Sequence, residues 1–437
     1  MAQTLKFGNG TWATKKGSTL AYSDEGGNFK PLPFTYTGAG KGTRVNKEGL
    51  IEVVENDRPR IDYKDSEDGV FLLEKASTNL VTYSEDLSTW ASINVDKTLT
   101  QVKNPSGNLG VYEIAANSTA STHYIESYPH SATSGVDYTF SFFAKINGSN
   151  FVQVALSTGF SALYQNFNLL DGTLGNGNLT SGYSSNIEPF GNGWYRVSVK
   201  GNTVSANARF LTIPILTDIA SRNPSFVGNG NLGIYVWGFQ KEQSSQSSSY
   251  IPTQGTIQTR VQETAIGSGN SEVFNSEQGI LYAEGSLIND DGTPNNITLG
   301  DNTFSDNRMM LLFSNGISNR ISARFDSSGS DVTLNADGYD LTLNHKVVLK
   351  YKANDIAIWV DGFEIESGDF SFSAPSLLNR IDFYNPFGGG QNNFYGKTKE
   401  IGYYDEILTD LELETLTSYR TWEEMVKELN LNIIHNE

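Results

Sequence analysis

The chain has 437 residues, a formal net charge of −18 and no cysteine. Its length predicts two or three domains. The acidic balance, unbroken by any Lys/Arg cluster, excludes nucleic acid as a natural partner and disfavours an anionic membrane surface. The absence of cysteine excludes disulfides, thiolate metal sites and cysteine nucleophiles.

Glycine at 43 residues, aromatics at 12% and charged residues at only 18% make an all-β composition. The opening MAQTLKFGNGTW lacks the basic-then-apolar pattern of a signal peptide, and no apolar run reaches membrane-spanning length, so folding in a reducing cytoplasm and no membrane partner are expected.

In chain order, residues 1–66 hold short apolar fragments (LKFG, LAYS, LIEVVE) broken by GNG, EGG, GAGKG and NDRP. They offer strands but little core, which predicts an extended arm ordered by packing on a neighbour. The alternative is an irregular extension folded on its own downstream sandwich. Residues 67–262 carry recurrent β runs: DYTFSFFAKI, FVQVALS, WYRVSVKG, ARFLTIPIL and LGIYVWGF, separated by turn clusters such as NGSN and DGTLGNGN. That spacing predicts an antiparallel sandwich or jelly roll. Alternation in the first run sets Tyr138, Phe140 and Phe142 on a packed face and Thr139, Ser141 and Phe143 on a face expected to be wet except at Phe143.

Residues 261–278 (VQETAIGSGNSEVFNSEQ) read as a linker, and a second β unit extends over 263–418. There IAIWVDGFEI predicts a hairpin turning at Asp361-Gly362, and DEILTDLELETL a short helix capped by Thr409 or Asp410. Over 419–437, TWEEMVKELN places Trp422, Met425, Val426 and Leu429 on one face of a short amphipathic helix. The helix is expected to dock on its own domain or on a neighbouring subunit.

Three segments carry a resemblance. FTYTGAGKGTRVNKEGLIEVVENDRPRIDY (34–63), GVFLLEKASTNLVTYSEDLSTW (69–90) and VWGFQKEQSSQSSSYIPTQGTIQTR (236–260) resemble the opening and closing signatures of bacteriophage virion proteins of the tail-fibre, head-fibre and capsid-decoration type. The matching positions are Pro59 to Tyr63, Leu72-Leu73-Glu74, Thr78-Asn79-Leu80, Gln240, Glu242, Tyr250, Pro252, Thr253 and Arg260. GNGWYRVSV is similar to a strand of carbohydrate-binding modules, and 279–418 resembles concanavalin A-like and laminin-G-like sandwiches. The resemblance implies an all-β chain of two antiparallel β-sandwiches, a jelly roll and then a concanavalin A-like unit, behind an arm that attaches to other virion proteins. It further implies a non-enzymatic role at the virion surface, assembly in a host cytoplasm, homo-oligomers (trimers by preference) and adhesion to cell-surface glycan. A purely structural virion protein without a glycan ligand, and a glucanase-type depolymerase, are the alternatives.

For catalysis the nearest motif is FEIESGDF, where strand alternation would set Glu364 and Glu366 on one face as a retaining pair requires. The motif lacks aromatic and Asp neighbours, and a solvated hairpin explains the charges. His123, His130, His345 and His435 are scattered, without zinc spacing. No cofactor is required, but Asp290, Asp291 and Asp301 in presumed loops are candidate calcium ligands, with Asx-turn chemistry as the competing explanation. For glycan contact the candidates are loop aromatics and amides: Tyr183, Tyr339, Phe387, Asn392 and Asn393. Trp194, a tempting sugar platform, is expected in the core instead.

Overall fold

The computed structural model describes residues 3–38, 40–126, 131–230, 233–301, 307–327, 329–372, 378–385 and 392–431. Almost every regular element is a β-strand, and the chain divides into two compact units, each a sandwich of antiparallel sheets. The first unit comprises Met1–Ala39, Asn56–Lys75 and Gln262–Glu437; the second comprises Gly40–Glu55 and Ala76–Val261.

Among the described residues the second unit packs two six-stranded sheets face to face. One runs Ala91–Ile93, Tyr124–Glu126, Arg209–Ile215, Phe151–Ser157, Tyr164–Asn168, Thr173–Gly177; the other runs Val95–Lys103, Leu109–Ala116, Gly233–Glu242, Asp137–Asn147, Trp194–Asn202, Ser184–Pro189. Tyr138, Phe140 and Phe142 enter the core between them, as alternation dictates. The face expected to be wet is instead buried. Thr139 and Ser141 are closed to solvent, and Phe143 joins Trp194, Trp237 and Tyr250 in a second cluster. Val45 and Ile51, from the short hairpin Thr43–Val45/Ile51–Val53, belong to the same cluster, so part of the expected arm supplies that cover.

In the first unit a twelve-stranded sheet faces a seven-stranded one, counted among the described residues. The large sheet runs Thr264–Ile266, Asn28–Thr37, Ser18–Glu25, Leu5–Gly8, Gly396–Tyr404, Gln278–Leu287, His345–Lys352, Ile356–Val360, Phe363–Gly368. The expected arm is therefore not a separate element. Leu5 pairs with Tyr403 and Phe7 with Ile401, while Phe7, Phe34 and Phe71 enter the shared core. Fragments with too little core of their own complete a sheet whose other strands lie nearly 400 residues downstream. The expected linker also carries structure: Thr264–Ile266 pairs with Thr35–Thr37, and Val273 and Phe274 are core residues.

Two short helices follow the last strand. Asp410–Thr417 is capped by Thr409, whose hydroxyl accepts from the Glu412 N–H while the Glu412 carboxylate accepts from the Thr409 N–H, and Leu413 packs on the outer face of the large sheet with Tyr282, Val348 and Trp359. The terminal helix Trp422–Glu428 lies on its own unit, with Met425, Val426 and Leu429 half-buried and its charged side making ion pairs. Glu424 pairs with Lys346 at 3.2 Å and Glu428 lies 3.9 Å from Lys399, while Trp422 is 59% exposed.

Candidate functional site

The residues that carry the resemblance form architecture. Arg60, fully buried, donates from Nε to Glu263 at 2.7 Å and pairs with Glu74 at 2.8 Å; Tyr36 donates to Glu263 at 2.5 Å, and the Glu74 N–H donates to the same carboxylate at 2.8 Å. Burial alone would lower the Arg60 pKa, but Glu263 and Glu74 outweigh it and hold the guanidinium charged; burial, reinforced by Glu263, raises the Tyr36 phenol. The chain passes between the units at four places, and each passage has one member of this cluster within a few residues. In the second unit Asn79 donates to the carbonyls of Phe239 and Ile251 and accepts from Val81 N, and Glu242 accepts from Ser77, Gln240 and Ser248. Arg60 and Glu74 are legible as motif residues. Their partners Tyr36 and Glu263 carry no local signal.

The seven-stranded sheet presents a different surface. Its strands run Ser330–Asp337, Arg320–Ser327, Asn307–Phe313, Asn295–Gly300, Asn392–Asn393, Tyr384–Asn385, with Arg380–Asp382 also pairing to Asn295–Gly300. Ile297, Leu299, Met309, Leu311, Phe313, Ile321, Ala323 and Phe325 face the core. Alternation sends their neighbours to the other face, where register aligns them in rows. One row is Asn335, Ser322, Leu312, Asn296, Asn393; the next is Thr333, Arg324, Met310, Thr298, Asp382; the third includes Asp331, Asp326, Arg308 and Arg380.

The centre of this face is closed to solvent and incompletely paired. Neither Asn296 Oδ1 nor Nδ2 has a hydrogen-bond partner, and Thr298 Oγ1 and Asn393 Oδ1 have none either, although all three residues are at most 2% exposed. Asn393 Nδ2 donates to the Tyr395 hydroxyl at 2.8 Å, and Ser322 donates to Asn335 Oδ1 at 2.8 Å. A buried amide without partners costs about 1–3 kcal/mol, so this cluster is an unmet hydrogen-bond demand on the face. The charges beside it are matched: Arg308 to Asp326 at 2.6 Å, Arg324 to Asp326 at 2.8 Å and to Asp331 at 3.4 Å, Arg380 to Asp382 at 2.5 Å.

Of the residues expected to touch glycan, Asn393 lies in this row and Asn392 pairs with Asn385 beside it. Tyr183 and Tyr339 lie elsewhere and serve their loops. The Tyr183 hydroxyl donates to the Asn202 carbonyl at 3.1 Å; Tyr339 packs edge-on against His345 at 5.3 Å. Phe387, like His130 and His435, falls outside the described residues. Sequence reasoning missed Asn296 and Thr298 because NNITLG reads as an ordinary half-buried strand. The available signal was amides and a hydroxyl on the face opposite its Ile and Leu.

The candidate calcium ligands do not converge. Asp290 accepts from Asn319 N–H at 2.5 Å; Asp291 accepts from Thr293 N–H at 2.9 Å and pairs with Lys75 at 3.6 Å. Asp301 stands beyond the far end of the strand Asn295–Gly300, and a strand of that length spans roughly 20 Å, so the three cannot ligate one ion. Among the described residues no group of three or more His, Asp or Glu is arranged to hold a metal.

The expected glutamate pair is also separated. A bulge sets Glu364 opposite Trp359 and Glu366 opposite Ile358, consecutive residues with opposite orientations, so the two carboxylates leave the shared face that alternation predicted. Glu366 instead accepts from Asn335 N–H at 2.7 Å. Trp194 is core, with its indole N–H on the Lys103 carbonyl at 3.2 Å.

His345 yields a pH prediction. Its ring nitrogens lie 2.7 Å from Asp361 Oδ2 and 2.9 Å from the Asp340 carbonyl, two acceptors that both ring N–H groups satisfy only in the imidazolium. Burial opposes the charge, but Asp361 outweighs it and raises the pKa above 6.5. The stabilisation is therefore complete below the unfolded value and lost as pH rises through the folded one. Urea midpoints measured between about pH 6 and 9 should fall more steeply for the wild type than for His345→Gln.

An all-β chain of two sandwiches, with an amide-lined face on one of them, defines the class. Solved structures of similar fold include the CBM40 domain of the Ruminococcus gnavus IT-sialidase bound to α2,3-sialyllactose, at 17% identity over 35% of this chain and 94% of that one, TM-score 0.30. The LG1–3 region of the laminin α2 chain matches at 9% identity over 92% of each chain, TM-score 0.24. No protein-family model and no curated protein matches the chain.

Proposed function

We propose that this chain is a non-enzymatic virion surface protein that displays a glycan-binding face on the seven-stranded sheet of its first unit. The virion setting rests on the paired signatures at 34–63, 69–90 and 236–260. The binding role rests on one observation: the buried, unpartnered amide of Asn296, in a row with Asn393 and beside Thr298. Sugar hydroxyls both donate and accept, so they can satisfy an amide at both ends. The centre is closed and the margins at Asn335 and Asn392 are half-buried, so a glycan would enter along the row from its ends. Many copies on a particle would multiply a modest single-site affinity.

A glycan array probed with the wild type and with Asn296→Leu tests the reading. The wild type should bind, and the variant should lose binding while keeping or gaining stability, because leucine removes an unsatisfied buried group worth about 1–3 kcal/mol. Binding unchanged in the variant would overturn it.

The purely structural reading is favoured by a different observation: the signature residues Arg60, Glu74, Asn79 and Glu242 are all spent on buried internal pairing. Under that reading neither protein binds any glycan, while the particle still carries the chain.

A further inference from the structure

From the pairing on the same face we infer that its ligand is a neutral, hydroxyl-rich glycan and that the face discriminates against uronate- and sialate-type acidic glycans. The inference rests on the glycan-binding reading and adds the chemical class of the ligand.

Its first support is charge bookkeeping by geometry. Arg308, Arg324 and Arg380 are the cations on these rows, and Asp326, Asp331 and Asp382 the anions; every cation is within ion-pair distance of at least one of these carboxylates. Asp382, wholly buried, additionally accepts from Gly267 N–H at 2.8 Å, which fixes the carboxylate that Arg380 neutralises. An incoming carboxylate that displaced Asp326 from Arg308 or Asp382 from Arg380 would leave a buried aspartate without that cation.

The second support is the hydrogen-bond demand of the groups left over. Asn296 Oδ1 and Asn393 Oδ1 can only accept, so the ligand must donate to both; Asn296 Nδ2 can only donate; Thr298 Oγ1 does either. A carboxylate set against these atoms donates nothing, so a uronate or sialate could meet them only through its hydroxyls, with its carboxylate turned towards the paired charges alongside. A pair of neighbouring hydroxyls supplies donors and an acceptor together. Met310 and Leu312, outward on the adjoining strand and nearly closed to solvent, provide an apolar floor without charge or aromatic ring, suited to the C–H face of a pyranose. Finally, the net charge of −18 repels polyanions at long range.

The experiment compares one acidic polysaccharide with its carboxyl-reduced derivative, alongside unrelated neutral glucans and mannans, by titration calorimetry on the full chain. A neutral member should bind about tenfold or more tighter than its acidic counterpart, as expected from denying a buried acceptor its donor, and affinity should change little between about 0.05 and 0.5 M salt. Asn296→Leu should abolish neutral binding, with its melting curve confirming the fold. Equal or tighter binding of the acidic form, or affinity that falls steeply with salt, overturns the inference while leaving glycan binding intact. Neutral binding that survives Asn296→Leu overturns it too, since the selectivity would then belong to another surface. If no glycan of either kind binds, the parent reading fails with it.

Discussion

Replacing Arg60 with methionine should destabilise the first unit by about 3–5 kcal/mol, the usual consequence of leaving buried charge without its partner. The substitution preserves much of the side chain's volume and removes the cation paired with Glu74 and Glu263, which sit at 3% and 0% exposure. Tyr36 donates to Glu263 but carries no charge, so it cannot compensate. The sign of the pH dependence distinguishes this mechanism from a packing defect. In the variant buried negative charge is left without its cation, so the loss should be largest near neutral pH and shrink in acid, where a carboxyl carries no charge. Urea unfolding of wild type and Arg60→Met at several pH values measures both effects. A loss below about 1 kcal/mol, or one independent of pH, would assign Arg60 an ordinary packing role.

Lys241→Met should do the opposite in the second unit. Lys241 is 3% exposed, and among the described residues its ammonium meets the carbonyls of Ala208 at 3.2 Å and Ser131 at 3.4 Å and the ring of Tyr138 at 5.2 Å. Burial without a carboxylate lowers its pKa to about 8 from 10.5. Between those values the unfolded chain binds a proton that the folded chain does not, so wild-type stability should rise with pH from about 8 to 10.5 and carry its full penalty below 8. That shift corresponds to about 3 kcal/mol. Methionine should recover about 1–3 kcal/mol at neutral pH, since some packing changes with the side chain, and should remove that rise. Differential scanning calorimetry of both proteins at pH 7 and pH 10 provides the comparison, and parallel curves for the two would contradict the assignment. Nothing in the structure explains why a lysine occupies this position.

Much of the architecture was legible because strand periodicity is local. DYTFSFFAKI, FVQVALS and WYRVSVKG became Asp137–Asn147, Phe151–Ser157 and Trp194–Asn202, and the Asp361-Gly362 turn has the two positive φ angles, 49° and 92°, that its residues favour. What a strand pairs with is not local. LKFG showed alternation but nothing announcing that Leu5 would meet Tyr403, and LIEVVE nothing announcing that Ile51 would cover Phe143. The arm reading failed on that non-locality: both pieces were judged too poor to form a core, when each completes one already present.

The site was legible to a lesser degree for the same reason. Asn393 stood out as an amide in a glycine-rich segment, but its neighbour Asn296 lies almost 100 residues earlier and meets it only through a parallel pairing. Local alternation also misplaced the Glu364/Glu366 pair, because one bulged residue reverses the face of everything beyond it. For the terminal helix the apolar stripe was legible and the ion pairs of its polar side were not. Lys346 and Lys399, which stand opposite Glu424 and Glu428, lie roughly 30 to 80 residues upstream, beyond the reach of local pattern.

The central claim is that Asn296, Thr298 and Asn393 form a glycan-binding face. A crystal structure of the full chain with the tightest array oligosaccharide tests it most directly. Sugar hydroxyls within hydrogen-bond distance of the Asn296 amide and Asn393 Oδ1, over Met310 and Leu312, are the predicted result. An oligosaccharide bound on another surface, with the Asn296 amide still unpartnered, would contradict it.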